Sequence, residues 1–135
     1  MRTHVDLFSG IGGFALAAAA NSVRTVQFCE IDQRCRDFLA RAWPGVAIHD
    51  DVRTLDSPCS PWLLTAGVPC QPASRAGKQR GSADDRWLWP EALRLLRHYH
   101  PTWALFENPA GIADVGLADR LITEEVKPWS YMKFP

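Results

Sequence analysis

The sequence predicts an α/β protein: a mostly parallel β-sheet with helices on both faces. Three observations predict it. Short apolar runs alternate with helix-forming stretches, the order expected of β-α-β units. The apolar runs lack the polar/apolar alternation of a half-exposed strand, as expected when both faces are covered. Each run also ends in a polar or glycine-rich loop, and a parallel sheet gathers such loops at the edge where ligands bind. The 135 residues are one domain's worth of chain.

The elements follow in order. Residues 3–8, THVDLF, read as a strand running into Ser9-Gly10-Ile11-Gly12-Gly13, and FALAAAA at 14–20 has the composition of a good helix former. A second strand is expected from 23 to Cys29. Residues 33–43 form an amphipathic helix with Cys35, Phe38, Leu39 and Ala42 on one stripe, stopped by Pro44-Gly45. GVAIHDDV at 45–52 supplies a third short strand that turns through Asp50-Asp51. After a turn-rich connector at 53–61, WLLTA at 62–66 is a continuous apolar strand. A long polar loop fills 69–85. A helix follows at about 86–98, with Trp87, Ala92, Leu95 and Leu96 inward and Pro90 marking a late start. TWALFE at 102–107 is the fifth strand, NPAGI a turn, and 114–125 a last helix.

Composition excludes several classes. Fifteen Lys+Arg balance fifteen Asp+Glu, but residues 71–100 hold six bases against three acids, a net +3 that suits a polyanion. The longest apolar run, 14–20, is far short of the roughly 20 residues that span a bilayer, so no membrane association is expected. No secretory signal is read at the start of the sequence, so a cytoplasmic, reducing setting with free thiols is the expectation. The cysteines at 29, 35, 59 and 70 and the histidines at 4, 49, 98 and 100 match no zinc spacing, so no metal is expected.

The glycines at 10, 12 and 13 sit where strand meets helix and permit positive φ or close approach of a ligand to backbone N–H groups. Their spacing is neither the dinucleotide G-x-G-x-x-G nor a P-loop. Glu30 closes the second strand, where a carboxylate can hold both hydroxyls of a ribose, and Asp51 closes the third, where an adenine edge is within reach. Cys70 stands in Pro69-Cys70-Gln71-Pro72, pinned by prolines and followed by Arg75, Lys78 and Arg80, a setting that favours a reactive thiolate. Cys29, Cys35 and Cys59 are expected to be inert packing thiols. Glu107-Asn108 ends the fifth strand, and an acid directly after an apolar strand is expected to be partly desolvated. A thiol nucleophile with a carboxyl proton donor suits attack on an electron-poor ring.

Together these residues resemble the cytosine carbon-5 DNA methyltransferases. DLFSGIGGF at 6–14 is similar to the family's S-adenosylmethionine loop, Glu30-Ile31-Asp32 to its ribose and adenine segment, GVPCQPAS at 67–74 to its catalytic loop (continued by Gly77, Gly81, Asp84 and Arg86) and FEN at 106–108 to its glutamate motif. The resemblance implies a Rossmann-like, S-adenosylmethionine-dependent methyltransferase fold. It implies cofactor contacts from Asp6, Leu7, Phe8, Ser9, Gly10, Gly12, Gly13, Glu30, Ile31, Asp51, Val52 and Pro69. It further implies catalysis by Cys70, Glu107 and Asn108 on a cytosine flipped out of DNA, with Gln71, Ser74, Arg75 and Lys78 on the nucleic acid.

On this resemblance residues 1–112 form the cofactor-binding and catalytic core, and 113–135 a last helix and an unmatched tail. Pro109 stands where the family usually has valine. The family's Gln-x-Arg-x-Arg strand, its target-recognition domain and its C-terminal segment have no counterpart, and a sheet ending at a fifth strand leaves an edge to cover. Weak or undetectable turnover by the chain alone is therefore expected, with a complementary C-terminal polypeptide as a candidate partner. Two alternatives stand beside the DNA enzyme. One is a non-catalytic S-adenosylmethionine-binding remnant or subunit, the other a methyltransferase acting on cytosine in transfer RNA. Amino-group methyltransferases are disfavoured, because they carry an Asp/Asn-Pro-Pro-Tyr/Phe loop where this chain has Val68-Pro69-Cys70-Gln71.

Overall fold

The computed structural model describes residues 1–69 and 88–108. The chain divides into two compact units, Met1–Val68 with Leu88–Glu107, and Pro69–Trp87 with Asn108–Pro135. All the helices and strands described below lie in the first. Of the second unit, Pro69 and Asn108 are described.

Five strands, β1 (Thr3–Leu7), β2 (Arg24–Cys29), β3 (Ala47–His49), β4 (Leu63–Gly67) and β5 (Trp103–Glu107), form one sheet in the order β3-β2-β1-β4-β5. Every pairing is parallel. The chain moves outward one way from β1 through β2 to β3, then returns to β1's other side as β4 and moves outward to β5. Right-handed crossovers therefore set the helices α1 (Gly13–Ala20) and α2 (Gln33–Ala42) on one face and α3 (Trp89–Tyr99) on the other. The reversal of direction between β1 and β4 is a topological switch point, where sheets of this kind open a crevice at their carboxyl edge. Registry brings the strand ends level there: Leu7 pairs with Cys29 and Ala66, Cys29 with His49, and Gly67 with Glu107.

The sheet is buried as a central parallel sheet must be. Val5, Leu7, Phe28, Leu64 and Ala66 are fully enclosed, and Leu39 closes over Phe28 with Ala15. Burying a leucine of this kind contributes roughly 2 kcal/mol. Helix α3 lays Trp89, Ala92, Leu95, Leu96 and Tyr99 against the sheet, a spacing of three and four residues that draws one helical face. Its Trp89 ring meets Phe106 of β5 at 5.5 Å.

The structure shifts several expected boundaries. Helix α1 begins at Gly13, because Gly12 in the left-handed region (φ 84°) serves as its N-cap. β1 stops at Leu7, since Phe8 also turns left-handed (φ 55°). β3 keeps only three residues, and α3 begins at Trp89, with Pro90 in its first turn as the sequence predicts. The expected buried stripe of α2 is largely absent: Leu39 is buried, Cys35 is half-buried, and Phe38 and Ala42 are exposed. The three-residue β3 beneath that helix offers too little surface to cover a whole stripe. On the edge strand β5, Trp103 and Leu105 remain half exposed. Trp87 and the helix expected at 114–125 lie outside the described residues. No described helix is long and apolar enough to cross a membrane.

Candidate functional site

The turn after β1 is stitched to both neighbouring strands. Ser9 Oγ donates toward the carbonyls of Asp6 (2.7 Å) and Cys29 (3.2 Å) and accepts from the Cys29 N–H. The Ser9 N–H also reaches the Cys29 carbonyl. Its hydroxyl is thus committed to shaping the turn. The three glycines then part company. A Cβ on Gly10 or Gly13 would meet nothing within 4 Å, so these two are open to an approaching molecule. One on Gly12 would fall 2.6 Å from the Trp43 ring and 3.1 Å from Leu39, so Gly12 exists to let α2 close under the turn.

Glu30 bridges the turn and the start of α2. Its Oε2 accepts the Gly10 N–H at 2.7 Å and its Oε1 the Asp32 N–H at 2.8 Å, fixing the carboxylate at the end of β2. Each oxygen keeps a further lone pair for an outside hydroxyl. Asp32 in turn caps α2, accepting from Arg34 N–H and Cys35 N–H, and the bonds from Cys35 and Arg34 hold its carboxyl below the usual range. Ile31, between the two acids, is 68% exposed. Asp51 closes a turn after β3: its Oδ1 accepts from the Arg53 N–H and guanidinium, and its carbonyl from Thr54. Val52 beside it is buried.

Two arginines that the sequence reading passed over hold these segments in place. Arg36 Nη1 donates to the carbonyls of Glu30 (2.9 Å) and Ile31 (2.6 Å). Arg94 on α3 donates to the carbonyls of Val52 (2.9 Å) and Leu55 (3.1 Å) while its Nε meets Glu91 at 2.8 Å. Nothing in their spacing sets them apart from surface arginines; only the fold brings them to those carbonyls.

On the other side of the switch point, the end of β4 lies beside Glu107 of β5 and beside Phe8 and Phe14, which flank the glycine turn. A Cβ on Gly67 would stand 3.7 Å from Glu107 Oε2, 3.9 Å from the Phe14 ring and 4.0 Å from the Phe8 carbonyl. Glu107 is exposed, contrary to the expected desolvation, because edge strand β5 leaves its last carboxyl open to water. Pro69 is exposed and Asn108 half-buried. Cys70, Gln71, Ser74, Arg75 and Lys78 lie outside the described residues. Of the remaining thiols, Cys29 is buried as a packing thiol should be, whereas Cys35 and Cys59 are half-buried. Burial pushes the Cys29 thiol up to about 12, and burial also raises Cys35 and Cys59.

Asp6 is fully buried on β1, next to Leu7. Its Oδ1 accepts from Thr65 Oγ1 at 2.5 Å, and its Oδ2 has no hydrogen-bond partner among the described residues. Burial, reinforced by the Glu30 charge and opposed by the Thr65 bond, pushes its carboxyl up to about 7. No group of three His, Cys, Asp or Glu among the described residues is placed to hold a metal ion.

Known proteins share both sequence and fold. The chain is 40% identical over 114 residues to the type II methyltransferase M.HgiCII of Herpetosiphon aurantiacus, covering 82% of this chain and 26% of that protein. It is 35% identical over 136 residues to the type II methyltransferase M.HgiBI of the same organism, covering 96% and 31%. Among solved structures, a DNA modification methyltransferase encoded within an E. coli prophage superposes with a TM-score of 0.72 at 27% identity, over 89% of this chain and 36% of that one. The chain thus spans about a quarter to a third of the length of these curated relatives. Residues 2–119 match the family model described as C-5 cytosine-specific DNA methylase, and the chain belongs to that family.

Proposed function

We propose that the chain is the cofactor-binding and catalytic part of a DNA (cytosine-5-)-methyltransferase, and that the switch-point crevice takes S-adenosylmethionine. The residues present fit that cofactor. Glu30 offers a fixed carboxylate for ribose hydroxyls, exposed Ile31 an apolar surface for adenine, and Asp51 and Val52 a turn for its edge. Gly10 and Gly13 leave room at the turn, and the unpartnered Oδ2 of buried Asp6 suits a cationic or N–H donor group. When bound, the cofactor supplies a methyl group from its sulfonium.

The chain's own residues do the rest. Cys70 as thiolate adds to carbon 6 of a flipped-out cytosine while Glu107 hydrogen-bonds to or protonates ring nitrogen 3, which makes carbon 5 nucleophilic. After methylation, a solvent water takes the carbon-5 proton, the C–S bond breaks to release Cys70 as thiolate, and any proton held at ring nitrogen 3 returns to Glu107, which restores the aromatic ring. Asn108 would hold the loop geometry, and Gln71, Ser74, Arg75 and Lys78 the nucleic acid. The observation that supports this reading is that Glu107 Oε2, the Phe14 ring and the Phe8 carbonyl all border the same point above Gly67, at the end of β4. Cys70 follows Gly67 by three residues, at most about 10 Å of chain.

The test is transfer of tritiated methyl from S-adenosylmethionine under single-turnover conditions, with protein in excess over acceptor. Label at carbon 5 of cytosine in duplex DNA supports the reading. Label in transfer RNA alone replaces the substrate, and cofactor binding without label in either favours a non-catalytic module.

A further inference from the structure

A chain of hydrogen bonds crosses the sheet interior from β2 through β1 to β4, and every group in it is buried. Thr25 Oγ1 lies 2.9 Å from Nδ1 of His4, Nε2 of His4 lies 2.7 Å from Thr65 Oγ1, and Thr65 Oγ1 donates to Oδ1 of Asp6. The Thr65 hydroxyl has one proton, given to Asp6, so it accepts from His4. His4 is therefore protonated on Nε2, and Nδ1 accepts from the Thr25 hydroxyl. The polarity of the whole chain is fixed by the carboxylate at its end.

Resting on the cofactor reading above, we infer that Thr25, His4 and Thr65 are positioning residues for the cofactor: their relay fixes Oδ1 of Asp6 as an acceptor and leaves Oδ2 to exchange a proton for a cationic or N–H donor group of the ligand. Each hydroxyl or ring N–H polarises the next, strengthening the bond that favours the ionised carboxyl. Removing a link therefore leaves Asp6 holding its proton more tightly. The proton displaced on binding passes to solvent, and no covalent bond changes.

The groups around Asp6 leave it as the titrating member. Burial pushes His4 down to about 4, so it stays neutral near pH 7. On β2, the Cys29 thiol stays protonated and Glu30 is the charged neighbour acting on Asp6 among the described residues. On β4 the relay partner is Thr65, Ser9 donates to the Asp6 carbonyl, and α1 carries no ionisable side chain.

The full 135-residue chain is titrated calorimetrically with S-adenosylhomocysteine from pH 5.5 to 8.5, in two buffers of different ionisation enthalpy. The relay predicts proton release on binding at pH 6.5. It also predicts that Thr65→Val and His4→Leu lose at least fivefold more affinity at pH 6.5 than at pH 8.5, and that His4→Gln, which keeps an N–H donor, recovers most of the loss. A loss equal at every pH marks a merely structural role and overturns the relay, whereas no binding by the unaltered chain at any pH overturns the cofactor reading and the relay with it. Nitrogen-15 spectra of the ligand-free chain, with the His4 signal assigned by its absence in His4→Gln, give an independent readout. They should show neutral His4 protonated on Nε2; protonation on Nδ1, or an imidazolium at pH 7, overturns the relay without reference to any ligand.

Discussion

Glu30 and Gly10 join the two halves of the candidate cofactor site: the Gly10 N–H donates to Glu30 Oε2 at 2.7 Å, tying the glycine turn to the end of β2. The same carboxylate holds the Asp32 N–H, so one acid orders the turn, the strand end and the cap of α2. Glu30→Ala should weaken S-adenosylmethionine binding by about 10- to 100-fold, the loss of one or two charge-assisted hydrogen bonds. Isothermal calorimetry reads this directly.

Gly12 is predicted to be the least replaceable residue of the turn. Gly12→Ala places a methyl 2.6 Å from the Trp43 ring at a left-handed φ, which together should cost about 3 kcal/mol of stability. Gly13→Ala, with open space around its Cβ, should be near neutral. Urea unfolding of the two variants separates a packing glycine from a permissive one.

Arg94→Met should loosen the turn that follows β3 by freeing the carbonyls of Val52 and Leu55. Losing these bonds should destabilise the chain by about 2 kcal/mol. Amide hydrogen exchange at residues 53–55 should quicken, and cofactor affinity should fall with it.

His4 and Asp6 pull stability in opposite directions with pH. His4 is lowered from 6.5 to about 4, so its contribution is present above pH 6.5 and is lost as pH falls toward 4, about 3 kcal/mol in all. Asp6 is raised from 3.8 to about 7, so its contribution is present below pH 3.8 and is lost as pH rises toward 7, about 4 kcal/mol. Between pH 4 and 6.5 the two slopes offset. Asp6→Asn should therefore lose stability on acidification across this window, and His4→Gln should lose it on raising the pH. Chemical denaturation at pH 4.5, 5.5 and 6.5 checks both signs.

Much of this site was legible in the sequence because short motifs encode it locally. The glycine turn, Glu30 at one strand end and Glu107 at another follow from apolar runs that stop at polar residues, and the parallel order then aligns them. The distinction between Gly10 and Gly12 was not legible, since it depends on Trp43 arriving from 31 residues further along the chain. Nothing local in the sequence joins His4 to Thr65, which come within hydrogen-bond reach only because β1 and β4 pair. Arg36 and Arg94 resembled solvated helix charges for the same reason. The stripe expected of α2 failed because helical periodicity states which residues share a face and not how wide a surface awaits them.

Covalent trapping tests most directly the proposal that Cys70 attacks cytosine with Glu107 assisting at ring nitrogen 3. Duplex DNA carrying 5-fluorocytosine is incubated with the chain and S-adenosylmethionine, and the adduct is digested and its peptides weighed. A fluorocytosine adduct is expected on the peptide bearing Cys70, absent with Cys70→Ala and at least tenfold slower to form with Glu107→Gln. An adduct that survives Cys70→Ala, or one formed equally fast without the Glu107 carboxyl, would contradict it.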